Sequence, residues 1–461
     1  MARRKRLPGP IDVEIVGIGD GGVGLGTYEE HQLLVRGAPL GAVVSVMPFK
    51  RKKGVWHARR VGMVRPAADA VKPRCRIFGL CGGCVLQEMP LERQASAREH
   101  LASQRVGSLE GVVQHPMVRA PKGYAYRNRV ELTFGATRYL TEEDLAAGLP
   151  LDGRFLGFHP PGRFDRIADA PRCELVSEDV NALIRIVREH LLRSSFEPWN
   201  PREHTGFWRH LMLRETSLGE RLVVIFTAPP PEGAAQELEE LAAAIPDVTG
   251  VVWMVNERTA DAAIGREEAV LRGRSWIEEQ VLDVRFRLSV RSFFQTTSEG
   301  AERLYRVVRE AAGSGRRLID LYSGVGSIGL CLADRFEEVF GVEIVEDAVV
   351  DAKKNAERNG ITNSDFIAAP VETVTEGLGG DVLIVDPPRA GLHPKAARFI
   401  AGLTADRLVY VACNPRSLGR DRVVLEEGGW KMTDLWTVDL FPQTGHVEAV
   451  ARFERTPTSA S

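Results

Sequence analysis

The chain has no long apolar run. No stretch of about 18 or more apolar residues occurs in the sequence, so no membrane-spanning helix is predicted. The basic first residues lead directly into Pro-Gly-Pro, without the apolar segment of a secretory signal. Cysteine is also scarce, with six residues in the whole chain. These absences predict a cytoplasmic protein, in which clustered cysteines serve a metal or catalysis and not disulfides.

The remaining composition is typical of a globular protein that is too long for a single core. The chain has 461 residues, of which 44 % are apolar and 26 % are charged, which predicts two or three domains. Residues 1–75 contain 14 Lys and Arg but 6 Asp and Glu, whereas the whole chain has a net charge of −2. A basic segment on an acidic body is typical of an appendage that binds a polyanion, and a solubilising surface is the alternative.

Residues 1–64 predict a small β-barrel. Short apolar segments alternate with glycine-rich turns, as in barrels built from short strands. Residues 50–53 form a run of cations, and Trp56 follows closely. Cations beside an aromatic side chain suit an RNA-binding barrel that combines phosphate contacts with base stacking. A solvated hairpin tip is the alternative interpretation.

Two further units follow the barrel. Residues 65–285 combine helical spacing at 91–106 and 180–192 with strand-like segments, which predicts a mixed α+β domain whose sheet is covered on one face. In residues 286–461 strands and helices alternate, which predicts a parallel α/β sheet. The polar tail, residues 455–461, is expected to be disordered.

Three cysteines lie close together in the second unit. Cys75, Cys81 and Cys84 have the spacing C-x5-C-x2-C, with glycines between them, and Cys173 is a candidate fourth ligand. Four thiolates suit zinc or an iron–sulfur cluster. Structural zinc sites usually contain two short C-x2-C pairs, and the single pair here favours a [4Fe–4S] cluster. Cys331 fits a core position of a helix and is predicted to have no chemical role.

A glycine-rich turn in the third unit predicts a nucleotide cofactor. Gly324, Gly326 and Gly329 match G-x-G-x-x-G between a strand and a helix, a pattern shared with dinucleotide-binding proteins. Glu343 ends the next strand, where an acid can hold ribose hydroxyls. Asp386 then begins Asp-Pro-Pro at a strand end, a signature of S-adenosylmethionine-dependent methyltransferases. Two strands joined as a hairpin near the C-terminus predict the antiparallel end of such a sheet.

A cysteine and a glutamate predict the chemistry of this unit. Amino-group methyltransferases usually have an aromatic residue after the two prolines, where this chain has Arg389. Cys413 ends an apolar run and precedes Asn-Pro, which indicates a turn at the rim of a sheet. Carbon 5 of uracil becomes nucleophilic when a thiolate adds to carbon 6, and a base must later remove its proton. Cys413 and Glu448 can supply these groups; a core cysteine and a surface glutamate are the alternative.

These motifs together resemble the RNA (uracil-5-)-methyltransferases of the bacterial ribosomal type. The resemblance spans nearly the whole chain and is carried by SFFQTT, DLYSGVGSIGL, DPPRAGL, CNPRSLGRD and FPQTGHVE. It implies an α/β fold: a Rossmann-like methyltransferase domain at 286–461, a mixed α+β domain with an iron–sulfur cluster at 65–285, and an OB-like TRAM barrel at 1–64.

The resemblance also implies residue roles. Cys413 is the implied nucleophile and Glu448 the implied base. The implied contacts to S-adenosylmethionine are Gln295, Tyr322, Gly324, Gly326, Ser327, Glu343 and Asp386. The implied [4Fe–4S] ligands are Cys75, Cys81, Cys84 and Cys173. Ser327 replaces an Asn that is usual in the family, and Ala369 or Pro370 replaces another polar contact, so cofactor affinity is expected to differ.

The expected function is methylation of carbon 5 of a uridine in 23S rRNA by a monomeric enzyme. The target base must leave its stack, so a single-stranded loop is the expected substrate. The alternatives are a tRNA uracil-5-methyltransferase and a non-catalytic RNA-binding assembly protein. Arg127 and Arg129 are candidate RNA contacts, with structural ion pairs as the alternative interpretation.

Overall fold

A computed structural model of the chain describes residue 7 and residues 9–260, 262–374 and 378–455. Three main β-structures follow one another: a closed five-stranded barrel, a seven-stranded sheet and an eight-stranded sheet. Residues 456–461 of the tail that the sequence predicts to be disordered lie outside the described residues, as do residues 1–6. In the described part of the chain, no helix combines the length and apolarity needed to cross a membrane.

The N-terminal barrel confirms the predicted fold of the first unit. Its strands are β1 (Ile11–Ile18), β2 (Gly24–Tyr28), β3 (His31–Arg36), β4 (Val43–Lys52) and β5 (Val55–Arg65). They close in the order β1-β2-β3-β5-β4. Sequence analysis missed β2 because its glycines suggest a turn. A Cβ atom on Gly26 would lie 2.4 Å from Cγ1 of Val13, so glycine allows β2 to pack closely on β1.

The aromatic residue expected to stack on RNA is in the barrel core. Trp56 is only 8 % exposed and packs with the inward-facing residues of the barrel. Phe49, at the start of the basic β4–β5 hairpin, is 64 % exposed instead. Alternation along β5 turns Trp56 and Ala58 toward the core, whereas Phe49 lies where the register of β4 on β5 shifts, between Pro48 and Lys50. The expectation for Trp56 was therefore wrong, and Phe49 is the exposed aromatic side chain beside residues 50–53.

The middle of the chain forms the second sheet and a separate hairpin. Its elements are α1 (Leu91–Val106), β6 (Val113–Gln114), β7 (Arg129–Thr137), α2 (Glu142–Ala146), β8 (Asp152–Phe158), β9 (Ala168–Asp169), α3 (Glu178–Arg193), β10 (Trp208–Glu215), β11 (Arg221–Thr227), α4 (Ala234–Ala244), β12 (Gly250–Val255), β13 (Arg266–Gly273), β14 (Trp276–Val281) and β15 (Val284–Ser289). The seven-stranded sheet has the order β13-β12-β11-β10-β7-β8-β9, and β14 pairs with β15.

The central strands of this sheet are buried on both faces. Val223 and Ile225 of β11 face a core that includes α3 and α4. Val224 and Phe226 of the same strand face a second core, which continues into the β14–β15 hairpin and the C-terminal unit. The expectation of a sheet covered on one face was therefore wrong for β10–β12, because their second face packs against a part of the chain that is remote in sequence.

The C-terminal unit confirms the Rossmann-like prediction. Its elements are α5 (Ser298–Ala312), β16 (Gly315–Leu321), α6 (Ser327–Leu332), β17 (Phe336–Glu343), α7 (Glu346–Arg358), β18 (Ser364–Ala368), β19 (Val382–Val385), α8 (Pro394–Gly402), β20 (Arg407–Ala412), α9 (Pro415–Glu427), β21 (Trp430–Val438) and β22 (Glu448–Arg455). The sheet order is β18-β17-β16-β19-β20-β22-β21-β6. Strands β16–β20 are parallel, and β22 is antiparallel to both its neighbours, as the predicted hairpin requires.

Part of the segment 65–285 packs on the C-terminal sheet. Strand β6 pairs with β21, where Val113 is opposite Asp434. Helix α1 packs against α9. The sequence of β6 is two residues long and carries no strand pattern of its own, so only the long-range pairing reveals it. The C-terminal sheet is therefore completed by residues from the preceding unit.

Candidate active site

The carboxyl ends of the parallel strands form one edge of the C-terminal sheet, and the predicted site residues lie there. Tyr322 follows β16, Glu343 ends β17, Asp386 follows β19 and Cys413 follows β20. These strands are parallel, so their carboxyl ends meet at one edge. Ligands of open α/β sheets bind at this edge. The structure therefore brings these predicted residues together where a cofactor would bind.

The glycine-rich loop at this edge has a backbone that only glycine adopts readily. Gly324 and Gly326 have φ values of +56° and +77°, and Tyr322 has φ +65° although it carries a side chain. Glu343 fixes the loop, because its Oε2 accepts a hydrogen bond from Gly324 N at 3.0 Å. Its Oε1 accepts one from Val345 N at 2.9 Å. Ser327 is the first residue of α6, directly after the loop.

Sequence analysis missed Asp320, a buried acid beneath the same loop. Its Oδ2 accepts a hydrogen bond from Gly329 N at 2.9 Å. A Cβ atom on Gly329 would lie 2.8 Å from that oxygen, so the third glycine of the motif allows this close approach. Burial raises the pKa of Asp320 to about 7. An acid inside an apolar strand was the signal that could have revealed it.

Cys413 and Glu448 lie side by side at the ends of adjacent strands. Ala412 of β20 is opposite Ala449 of β22, so the next residues in the register are Cys413 and Glu448. Glu448 is the first residue of β22, and it is 3 % exposed, so it is not a surface glutamate. The structure therefore places the predicted nucleophile beside the predicted base.

Burial and neighbouring charges control the titration of this pair. Burial raises the pKa of Cys413 to about 12, with further contributions from the negative charges of Glu448 and Asp386. Burial raises the pKa of Glu448 to about 8, and Asp386 adds to the effect. The positive charge of Arg389 lowers the pKa of both groups. Perturbed groups that converge on one cleft are typical of a catalytic site.

Asp386 is the third acid of this group. Burial raises its pKa to about 7. Three acidic groups in one buried region repel one another when they are ionised, and a bound cation would relieve this repulsion. A positively charged sulfonium therefore suits this edge of the sheet electrostatically.

The loop 439–447, which leads to Glu448, is fixed by two side chains of α1. Arg98 is buried and forms a bidentate pair with Asp439, with N–O distances of 2.8 Å and 2.9 Å. It also donates to the carbonyl oxygens of Phe441 and His446. Sequence analysis missed this function of α1, because its partners are more than 300 residues away in the sequence.

The second α1 side chain, Gln94, forms two hydrogen bonds with Gln443. Its Oε1 accepts from Gln443 N at 2.8 Å, and its Nε2 donates to Gln443 Oε1 at 2.9 Å. Gln443 has φ +70°, an unfavourable conformation for a residue with a side chain. These bonds hold the strained turn just before Glu448.

The four predicted ligand cysteines converge. Cys75, Cys81, Cys84 and Cys173 line one cavity of about 540 Å³, together with Arg127. Burial raises the pKa of Cys81 to about 11 and of Cys84 to about 12, and repulsion from the other thiolates adds to both shifts. In the described ranges no three His, Cys, Asp or Glu side chains are arranged to hold a single metal ion.

The cysteine segment contacts the loop before the predicted base. Val85 N and Leu86 N, which directly follow Cys84, donate to the carbonyl oxygen of Gln443 at 2.9 Å and 3.0 Å. The two sites are thus adjacent in the fold although they are far apart in the sequence.

Three remaining candidates have different surroundings. Gln295 lies in the connection between β15 and α5, and its carbonyl oxygen accepts a hydrogen bond from Asn128 Nδ2 at 3.1 Å. Arg129 forms an ion pair with Glu131 at 2.5 Å, which confirms the structural interpretation of that residue. Cys331 is buried in a core cluster, as predicted.

Comparisons with known proteins identify the family of the chain. Residues 235–456 match the family described as tRNA (Uracil-5-)-methyltransferase. An uncharacterized RNA methyltransferase of Chlorobaculum tepidum is 36 % identical over 448 residues, which cover 93 % of this chain and 92 % of the relative. One from Caldanaerobacter subterraneus is 34 % identical over 446 residues, with coverage of 94 % and 96 %.

A solved structure has the same architecture. The tRNA (uracil-54, C5)-methyltransferase of Pyrococcus abyssi, in complex with S-adenosyl-L-homocysteine, is 28 % identical and matches with a TM-score of 0.76. The match covers 96 % of this chain and 99 % of the Pyrococcus chain. This structure agrees with the full-length RNA methyltransferase relatives and with the matching family. The chain belongs to the RNA uracil-5-methyltransferase family.

Proposed function

We propose that the protein methylates carbon 5 of a uridine in 23S rRNA, with Cys413 as nucleophile and Glu448 as base. The main support for this proposal is the register of β20 and β22. In this register a thiol and a buried carboxyl are neighbours at one edge of the sheet. Both groups have perturbed pKa values, and both respond to the charge of Asp386. A thiol and a base are the two groups that the uracil chemistry requires.

The proposed reaction begins at Cys413. Its thiolate adds to carbon 6 of uracil, and the electrons of the carbon 5–carbon 6 double bond move onto the ring as an enolate. S-adenosylmethionine supplies the methyl group, which carbon 5 takes up as S-adenosylhomocysteine leaves. Glu448 then removes the proton from carbon 5, the double bond forms again, and the thiolate leaves carbon 6.

The neighbouring charges suit this sequence of steps. The Cys413 thiol is largely protonated when the site is empty, because its pKa is about 12. Arg389 lowers that pKa, and a bound sulfonium would act in the same direction. After methyl transfer the sulfonium charge is gone, so Glu448 returns to a high pKa and becomes a stronger base.

The proposed cofactor contacts surround the glycine-rich loop. Tyr322, Gly324, Gly326 and Ser327 lie on the loop or directly after it, and Glu343 fixes its position through Gly324 N. Asp386 would face the positive region of the cofactor, and Gln295 would contact it from the segment before α5. Binding and orienting the methyl donor is the function of these side chains.

The four cysteines are proposed to hold a [4Fe–4S] cluster. Four partly buried thiols around one cavity supply a donor set that such a cluster uses. Without a bound cation, burial and mutual repulsion keep these thiols protonated. Arg127 lowers the pKa of Cys81 and Cys173, so it favours the thiolate forms that ligate iron.

The proposed RNA is 23S rRNA, and the barrel is proposed to be a TRAM domain. The exposed cations at 50–53 and exposed Phe49 support phosphate contacts and stacking outside the target loop. Such contacts help most on a large folded RNA. The similarity to the Pyrococcus tRNA enzyme favours tRNA as the second candidate. Methylation of unmodified 23S rRNA fragments and tRNA transcripts with labelled cofactor separates the two.

Two variants test the proposed chemistry. Cys413→Ala is expected to abolish methyl transfer while cofactor binding persists, because the thiol acts on the base and not on the methyl donor. Glu448→Gln is expected to accumulate a covalent protein–RNA adduct, because the proton on carbon 5 has no acceptor. Denaturing gels with labelled RNA, and calorimetry with S-adenosylhomocysteine, give the two readouts. Turnover by Cys413→Ala, or the absence of a slower-migrating species with Glu448→Gln, would exclude the mechanism.

A further inference from the structure

One turn of the barrel touches the helix that follows the proposed nucleophile and the loop that precedes the proposed base. This turn, Asp20–Gly22, connects β1 and β2. Asp20 Oδ2 accepts a hydrogen bond from Arg416 Nη1 at 3.1 Å, and Asp20 Oδ1 accepts one from Arg105 Nε at 2.7 Å. Arg416 is in the first turn of α9, shortly after Cys413. The barrel thus contacts the element that follows the nucleophile.

The same turn packs directly against the loop that precedes the base. A Cβ atom on Gly445 would lie 2.1 Å from Gly22 N and 2.2 Å from the carbonyl carbon of Gly21. A Cβ atom on Gly22 would lie 2.6 Å from Val85 Cγ2 and 3.1 Å from Gly445 Cα. The two backbones are therefore in van der Waals contact, shortly before Glu448 in the chain. A side chain at either glycine would push the two segments apart.

We propose that the turn Asp20–Gly22 is a positioning element of the active site, which sets the loops of Cys413 and Glu448 relative to each other. The inference rests on the proposed roles of these two residues. It gives the barrel a function in the chemical step that is separate from its contacts with RNA. Asp20 is a positioning residue for Arg416 and the start of α9, and Gly22 is a positioning residue for Gly445.

The magnitudes favour positioning over simple stabilisation. Asp20 is 45 % exposed, and pairs between exposed side chains contribute little to stability. A misplacement of about 1 Å in a catalytic site can lower a rate by about 100-fold. Small shifts at this turn are therefore expected to affect turnover more than folding.

Gly21 supplies a matched control for Gly22. The two residues have φ values of +73° and +76°, so alanine at either position has the same unfavourable backbone conformation. A Cβ atom on Gly21 would meet no atom within 4 Å, whereas one on Gly22 would meet Val85 and Gly445. The difference between Gly21→Ala and Gly22→Ala therefore isolates the contacts of Gly22 with Gly445, in the loop before Glu448, and with Val85, whose backbone N–H donates to Gln443 of that loop.

The test uses the full-length protein with S-adenosylmethionine and unmodified RNA. Gly22→Ala is expected to lower kcat by about 10-fold or more relative to Gly21→Ala, at unchanged KM for RNA. It is also expected to increase the fraction of covalent adduct, because the base is displaced. Equal kcat and adduct fraction in the two variants, or a change confined to KM for RNA, would overturn the inference.

A second variant covers the case in which Gly22→Ala does not fold. Asp20→Asn in the Glu448→Gln background is expected to slow adduct formation several-fold, because Arg416 loses its charged partner beside the nucleophile loop. Adduct formation at the rate of Glu448→Gln alone would overturn the inference. If Glu448→Gln itself forms no adduct, the proposed function fails; if it does and both turn variants behave like their controls, only this inference fails.

Discussion

At the scale of single residues, the proposed mechanism makes the last chemical step depend on the titration of Glu448. Burial raises its pKa to about 8, so roughly a tenth of the carboxyl is ionised at pH 7. A base acts only in its ionised form, so the elimination rate should fall as the pH falls through that pKa. By this step the methyl donor has lost its positive charge. The raised pKa of Glu448 therefore determines how much of the carboxyl is ionised.

We therefore predict that resolution of the covalent adduct accelerates with pH. The rate should rise up to about 10-fold per pH unit from pH 6 and level off above the pKa of Glu448. Adduct is formed at low pH, the solution is shifted to a series of higher pH values, and the disappearance of adduct is followed on denaturing gels. A rate that is flat from pH 6 to pH 9 would contradict Glu448 as the base.

At the scale of elements, the loop 439–447 depends on a buried ion pair with α1. Arg98 pairs with Asp439 and donates to two carbonyl oxygens, and both charged side chains are nearly inaccessible. Removing one partner leaves an uncompensated buried charge. We predict that Arg98→Leu lowers the free energy of unfolding by about 3–5 kcal/mol.

Chemical denaturation measures this destabilisation, and a double variant provides its control. Arg98→Leu combined with Asp439→Leu removes both charges, so it should recover part of the stability that the single variant lacks. If the double variant is destabilised by the full sum of the two single effects, the side chains do not act as a pair. If Arg98→Leu is as stable as the unmodified protein, the loop is held by other interactions.

The metal content of the cysteine segment can also be tested. We predict that protein purified without oxygen is brown and contains iron and sulfide, because four thiols around one cavity suit a cluster. Cys81→Ser should lose the colour. Cys331→Ala is the control, because Cys331 lies in a separate core and should retain the colour. One equivalent of zinc without visible absorption would contradict the cluster.

Local sequence patterns predicted the elements that carry the site. Features that depend on long-range interactions could not be predicted in this way. Cys413 was predictable because an apolar strand ends at Asn-Pro, and Asp386 because Asp-Pro-Pro follows a short apolar strand. The function of Gln94 was not predictable, because its partner Gln443 is 349 residues away. Burial of β11 on both faces depends likewise on a hairpin from another part of the chain. Periodicity reports which face is apolar, not which segment covers it.

At the scale of the whole molecule, the three units form one body. The core that covers β11 continues through the β14–β15 hairpin into the C-terminal sheet. The barrel contacts α1, α9 and the loop before Glu448 through Asp20 and Gly22. Deleting residues 1–64 would therefore remove both the proposed RNA-binding surface of the barrel and its packing on the proposed active site. A point variant separates the two effects better than the truncation.

The basic hairpin of the barrel allows this separation, because residues 50–53 are exposed and lie at the tip of β4–β5. We predict that changing all four to Gln raises KM for RNA and flattens its salt dependence. The slope of log K against log salt should fall by about 0.7–0.9 for each phosphate that the variant no longer neutralises. The turnover of bound RNA and the affinity for S-adenosylhomocysteine should not change.

The choice of RNA decides how large this effect is. A folded 23S rRNA fragment offers phosphates beyond the target loop, so the four-residue variant should bind it more weakly, mainly at low salt. A single-stranded loop without flanking structure should be methylated equally by both proteins. Filter binding and labelled-methyl transfer at several salt concentrations give both quantities. If tRNA is methylated as well as rRNA, or if the salt slopes of the two proteins coincide, the barrel does not select a large RNA, and the uracil chemistry stands without that assignment.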